Sequence, residues 1–299
     1  MANPDTVYLL DASIYVFRAW FSLPDSIRDQ QGRPVNAVLG YWRLLLEQLA
    51  QLKPRLGLAA FDESLFSGFR HQLYPTYKAN RALPDEALAY QLELCRLLTA
   101  ALGIPCRSSR VYEADDLLAT ATSLARAHGL PVTLLTRDKD LAQLVQPGDL
   151  WWDWSGGLSQ DHAALCERWG VPPARIPDLL ALAGDAVDNI PGVKGVGIQS
   201  ATALIRHFGD LENLYCQLDA RPALPLRGGA RLQRALQAQQ HEAFLFRELI
   251  RLHEADDLDE PISLAGLQLD SPDLPYLRAL IGELQLGRAF LTPLERYFS

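Results

Sequence analysis

Short apolar runs that stop on a carboxylate recur along this chain, and no other feature limits its fold so strongly. "TVYLLDAS" carries Asp11, "RLGLAAFDES" carries Asp62, and "LPVTLLTRDKDLAQLV" reaches Asp138 before a further helical pattern. Each run reads as a buried strand. Between them lie helix-period segments: "VNAVLGYWRLLLEQLAQL", "DEALAYQLELCRLLTAALG" and the stretch opening at "EADD". The second opens on acidic residues and closes on Gly103, the polarity of a helix start and stop. "IPCRSS" adds a short strand. Strands alternating with helices predict an α/β fold around a mostly parallel central sheet flanked by helices. Ligands of such sheets sit beyond the carboxyl ends of the strands, where Asp11, Asp62 and Asp138 fall.

After residue 170 the pattern is helical only. Two short helical stretches surround the turn "PGVKGVG", and a long one, "ARLQRALQAQQHEAFLFRELIRLH", follows before a Leu- and Asp-rich close. The apolar runs are too short or too interrupted by charge for a membrane span. The N-terminus lacks the basic start and apolar block of a signal peptide, so a cytoplasmic location is expected. Cys95, Cys106, Cys166 and Cys216 lie far apart without zinc-like spacing, and are expected to be buried in a reducing compartment. The net charge of −8 argues against coating nucleic acid by general electrostatics. It leaves room for acidic residues concentrated around cations.

The acidic residues at strand ends and adjoining turns are Asp11, Asp62, Glu113, Asp115, Asp116, Asp138 and Asp140, with Asp185 and Asp188 in "GDAVDN". Taken singly, each is an ordinary cap or turn residue. Taken together, convergence without cations would cost several kcal/mol, a cost that hard divalent ions remove. Oxygen-only ligand sets suit Mg²⁺ or Mn²⁺, and two such ions about 3.5–4 Å apart serve in-line phosphodiester cleavage. Glu113 and Asp116 are three apart and share a helix face, with Asp115 turned toward a second ion or away from the first. An aspartate-nucleophile phosphatase commonly has an acidic residue two positions after the nucleophile; Ser13 stands there instead.

From Leu65 to Leu83 the chain carries Arg70, Lys78 and Arg81 with Phe66, Phe69, Tyr74 and Tyr77, and no acid. That is either a surface loop or a phosphate clamp with stacking rings; its place just after Asp62 favours the clamp. Gly192, Gly195 and Gly197 form a tight turn before "SATALIRHFG", with Lys194 and Arg206 as local cations. Any helix–turn–helix can use glycines in this way; with "NIP" before it and "SATALIRHFG" after it, the turn has the pattern of a helix–hairpin–helix element gripping a phosphate backbone.

These motifs, "LLDASIYVFRAW", "AAFDESLFSGFRHQLYPTYKANR", "YEADDLLA", "LLTRDKDLAQLV" and "LAGDAVDNIPGVKGVGIQSA", resemble those of the 5′-nuclease superfamily. It includes the 5′–3′ exonuclease domain of bacterial DNA polymerase I, phage 5′-exonucleases and flap endonucleases. The resemblance implies a PIN-like α/β nuclease core over residues 1–175 with a helical arch at 64–90. It also implies a helix–three-turn–helix subdomain at 176–255 and a segment at 256–299 packing back on the core. It implies that all nine carboxylates hold two Mg²⁺ (or Mn²⁺) ions. Arg70, Lys78 and Arg81 would assist at the phosphate. Phe17, Arg18, Tyr77, Gly192, Lys194, Gly195 and Gly197 would contact DNA, and the carbonyls of Ile190, Val193 and Val196 would hold K⁺. Ala12 replaces the family's usual glycine.

The expected function is metal-dependent hydrolysis of DNA near 5′ ends at flaps, overhangs or nicks. The chain is expected to be a monomeric, independently encoded, nucleoid-associated bacterial nuclease with no membrane partner. Two alternatives stay open: a non-catalytic structure-specific DNA-binding protein, and an RNase acting on RNA–DNA primers.

Overall fold

The computed structural model describes residues 5–63, 68–81, 85–218 and 229–298. The expected stacking ring Phe66, and parts of the expected arch, lie outside these residues. Among the described residues six strands form one sheet: β1 (Val7–Asp11), β2 (Leu56–Asp62), β3 (Cys106–Ser109), β4 (Val132–Leu135), β5 (Leu150–Asp153) and β6 (Leu158–Asp161). Their order is β3-β2-β1-β4-β5-β6, parallel except for the β5–β6 hairpin. The chain lays β2 and β3 on one side of β1, then crosses to place β4 on the other. This reversal beside β1 opens a crevice at the carboxyl ends.

β1 is buried on both faces, as a central parallel strand must be. Val7 and Leu9 enter a core with Leu58, Val132, Leu134 and helix Ala114–Ala127, and that core continues without a break into the helices after residue 170. Tyr8 and Leu10 point the other way, toward helices Ala12–Ser22, Asn36–Leu52 and Glu86–Ala101. The last helices, Leu274–Glu283 and Arg288–Phe298, close this second layer. Trp42, fully buried, donates its indole N–H to the Phe290 carbonyl at 3.0 Å.

Four expectations need correction. β4 stops at Leu135, because the Asp138 amide donates to Thr136 Oγ1 and the Asp140 amide to Asp138 Oδ1, each at 2.8 Å, which replaces the ladder by a tight turn. A 3₁₀ turn, Asp140–Leu144, follows instead of an α-helix. The long helix after residue 229 divides into Gly229–Ala238 and Gln240–Ile250, since Gln239 leaves helical geometry at φ −126°. Of the cysteines only Cys95 is buried, and Cys216 is exposed. The β5–β6 hairpin was not foreseen. No helix of the described residues is long and apolar enough to cross a membrane.

Candidate metal centre

Each strand end presents its carboxylate through local hydrogen bonding. Asp11 ends β1 and caps helix Ala12–Ser22, and its Oδ2 accepts from Thr136 Oγ1 at 2.8 Å. The same hydroxyl oxygen accepts the Asp138 amide, so one threonine joins the ends of β1 and β4. Ser13 Oγ accepts the Asp62 amide at 2.9 Å, and Asp62 Oδ1 accepts the Ala114 amide at 2.9 Å. The end of β2 is thereby tied both to the first helix and to the helix carrying "ADD".

Two of the three acids at that helix start are already engaged. Asp116 is fully buried, and its oxygens accept from Arg70 at 2.6 and 2.8 Å, from the Glu113 amide at 3.1 Å and from the His253 amide at 2.9 Å. Glu113 meets Lys78 Nζ at 2.8 Å and the Tyr77 hydroxyl at 3.2 Å. Asp115 is the one of the three on which the charges of Asp138, Asp11 and Asp62 act most strongly, in that order. The expected division, with Glu113 and Asp116 paired on one metal-facing side, is reversed: Glu113 caps the helix and Asp116 turns inward to Arg70.

Arg70, Tyr77 and Gly192 also differ from expectation. The Arg70 guanidinium is buried and bonded to Asp116, the Leu249 carbonyl and the Arg251 carbonyl, so it is closed to a phosphate. Tyr77 is buried, its one O–H within donating reach of Asp188 at 3.1 Å and of Glu113 at 3.2 Å, so it is closed to DNA. A side chain on Gly192 would come within 2.3 Å of the Gly184 nitrogen, so this glycine serves packing against the preceding helix. Gly195 and Gly197 face open space, and Lys194 is exposed beside them. Phe17 is half-buried and Arg18 exposed, with Arg18 3.5 Å from the Ser155 carbonyl. The carbonyls of Ile190 and Val193 accept from the Asp185 and Val196 amides.

Lys78 and Arg81 line the rim. Lys78 adopts φ +52°, a left-handed conformation costing about 1–3 kcal/mol for a side chain of this kind. Its amide donates to the Asp188 carbonyl at 3.0 Å, which helps hold it there. Arg81 reaches Asp188 Oδ1 at 2.6 Å. Asn80 donates to the Ala186 carbonyl and Asn189 to the Thr76 carbonyl. The basic segment is thus laced to the "GDAVDN" turn.

The electrostatics separate these groups. Burial, with the charges of Asp62 and Asp138, pushes Asp11 up to about 8. Burial and the same kind of repulsion push Asp115 well above the usual carboxylate range, and burial with Glu113 raises Asp62. Burial and Asp138 raise Asp140, against the pull of Lys139. Glu113 behaves oppositely: burial acts against it, yet Lys78 and Arg70 hold it down to about 2. Asp140, Asp185 and Asp188 bring one oxygen each within 4.8 Å of one another. Carboxylates gathered at one cleft, offering only oxygen, fit a hard divalent ion. Sequence reasoning missed the tie from Ser13 to Asp62, which is remote in sequence, and missed Thr136, although a hydroxyl two positions before Asp138 is the signature of a local turn.

Comparison with known proteins identifies the family and the fold. Residues 6–170 match the 5′-3′ exonuclease N-terminal resolvase-like domain, and residues 171–274 the 5′-3′ exonuclease C-terminal SAM fold. A 5′-3′ exonuclease of Aquifex aeolicus is 30% identical, over 98% of this chain and 96% of its own length. DNA polymerase I of Rhizobium leguminosarum is 36% identical over 93% of this chain; the match spans only 27% of that longer protein. In three dimensions the chain resembles zinc-bound T5 5′-exonuclease, with TM-score 0.67 and 22% identity over 98% of this chain and 99% of that one. It also resembles the catalytic core of Rad2 in complex with DNA substrate, with TM-score 0.61 and 19% identity over 97% and 90% of the two chains. By sequence and by fold, this chain belongs to the 5′-3′ exonuclease family.

Proposed function

We propose that the chain hydrolyses DNA phosphodiester bonds near 5′ ends, at flaps, overhangs or nicks, using two divalent cations, Mg²⁺ or Mn²⁺. The observation that carries this reading is the crowding of acids at the strand ends: Asp11, Asp62, Asp115 and Asp138 repel one another, beside Asp140, Asp185 and Asp188, whose oxygens lie within 4.8 Å of one another. Like charges gathered in a cleft, with Asp11 buried and Asp62, Asp115 and Asp138 half-buried, call for a cation. Bound there, divalent ions supply water activation and stabilisation of the leaving oxygen.

The protein's own groups have separable roles. Asp11, Asp62, Asp115, Asp138, Asp140, Asp185 and Asp188 are assigned as ligands, with Glu113 at their edge. Asp116 and Arg70 are assigned to positioning, since they saturate each other. Lys78 and Arg81 are the rim cations that neutralise charge on the scissile phosphate. Gly195, Gly197 and Lys194 offer open backbone and charge at the start of helix Ile198–Phe208, suited to a duplex phosphate. Phe17 and Arg18 are assigned to DNA contact, and the Ile190, Val193 and Val196 carbonyls to K⁺. The division into residues 1–175, 176–255 and 256–299 belongs to the same proposal.

The test is cleavage of 5′-labelled flap, nicked, overhanging and RNA-primed duplexes in Mg²⁺ and in EDTA. Cutting of the DNA flap in Mg²⁺ alone is expected. A flap that is bound in Mg²⁺ and left intact would overturn the reading.

A further inference from the structure

The carboxylates of the cleft are not equally compensated. Asp11, Asp62, Asp115 and Asp138 make no ion pair among the described residues. The neighbouring group Asp140, Asp185 and Asp188 already holds organic cations. Lys139 Nζ contacts Asp185 Oδ2 directly and lies 3.3 Å from Asp140 Oδ1, while Arg81 takes Asp188. The Lys139 side chain is 28% exposed, whereas that of Asp185 is 3% exposed. The ammonium therefore reaches into the group from its mouth, on a four-carbon stem with freedom to swing out. Its backbone is held by the turn in which Asp138 accepts the Asp140 amide, which starts the stem beside Asp140.

We propose that Lys139 is the resident counter-ion of the Asp140–Asp185–Asp188 group, occupying it until a divalent ion displaces the ammonium. The proposal rests on the metal-dependent reading above and deepens it. Its consequence is an order of filling. The Asp11–Asp62–Asp115–Asp138 half has no cation to lose and fills first. The second half exchanges one cation for another, gains only the difference, and binds more weakly. An ammonium satisfies two of these carboxylates while the site waits, which limits repulsion in the metal-free protein.

The test is calorimetric titration of the full chain with Mn²⁺, without DNA, for wild type, Lys139→Met, Lys139→Gln and Lys139→Arg. Two steps are expected in the wild type, the second weaker. Lys139→Met and Lys139→Gln should tighten the weaker step roughly tenfold, as expected on removing one like charge beside the ion, and leave the tighter step within about twofold. Lys139→Arg should keep the weak step. In parallel, metal-free Lys139→Gln should melt below wild type and recover in Mn²⁺. A weaker step that is unchanged or weakened in both neutral variants overturns this inference alone. A wild-type chain that takes up no Mn²⁺ overturns the metal reading, and this inference with it.

Discussion

The Arg70 guanidinium grips both oxygens of Asp116, at 2.6 and 2.8 Å, with both side chains sealed from solvent. The pair joins the basic rim segment to the helix that carries Asp115, and through the Leu249 and Arg251 carbonyls it also fastens the end of helix Gln240–Ile250. Removing one partner strands a buried charge, so Arg70→Met or Asp116→Leu should each cost about 3–5 kcal/mol. The double variant should cost less than either single one. Urea denaturation of the four proteins checks this; a double variant as unstable as the sum of the singles would contradict it.

Lys78 is held in a left-handed conformation at the rim, with its ammonium on Glu113. Lys78→Ala should lower the single-turnover cleavage rate about 10²–10³-fold, the usual effect of losing one charge-stabilising group. Flap affinity, measured by gel shift in Ca²⁺, should stay within a few-fold of wild type.

Two glycines of the hairpin should respond differently. Gly192→Ala forces a carbon to within 2.3 Å of the Gly184 nitrogen at φ +67°, and should lower the melting temperature markedly. Gly197 has φ −89° and open space around it, so Gly197→Ala should melt like wild type. Its expected defect is weaker duplex binding, which fluorescence anisotropy would detect.

The carboxylates also set a pH dependence. Asp11 is raised to about 8 by burial and its acidic neighbours. Above the ordinary carboxylate range, the native state therefore keeps a proton that the unfolded chain has lost, and stability falls as pH rises toward 8. Glu113, held down to about 2 by Lys78 and Arg70 against its burial, opposes this only at more acidic pH. Between about pH 5 and pH 8 the metal-free protein should lose about 5 °C in melting temperature. Saturating Mg²⁺ should flatten the curve, and a metal-free melting temperature that rises over this range would contradict the account.

Much of this organisation was legible in the residues. Asp11 and Asp62 stand at strand ends because the apolar runs before them leave little choice of register, and the parallel sheet then brings them together. The side-chain directions within "EADD" were not legible. Spacing on an ideal helix pairs Glu113 with Asp116, but Glu113 is the cap and Asp116 is drawn inward by an arginine over forty positions earlier in the chain. The same limit hid the roles of Arg70, Tyr77 and Gly192. A basic residue near an acidic cluster reads alike whether it faces substrate or the core, and only packing separates the two. Thr136 escaped notice because its role is to join two strand ends remote in sequence.

The central claim is that the uncompensated carboxylates around Asp115 hold the cation on which cutting depends. Single-turnover cleavage of a 5′-labelled flap by wild type and Asp115→Asn across a Mg²⁺ series tests it most directly, with flap binding measured in Ca²⁺. The account predicts a loss of at least about 10³-fold at every Mg²⁺ concentration, with flap affinity nearly unchanged. Cleavage by Asp115→Asn at the wild-type rate and Mg²⁺ requirement would contradict it.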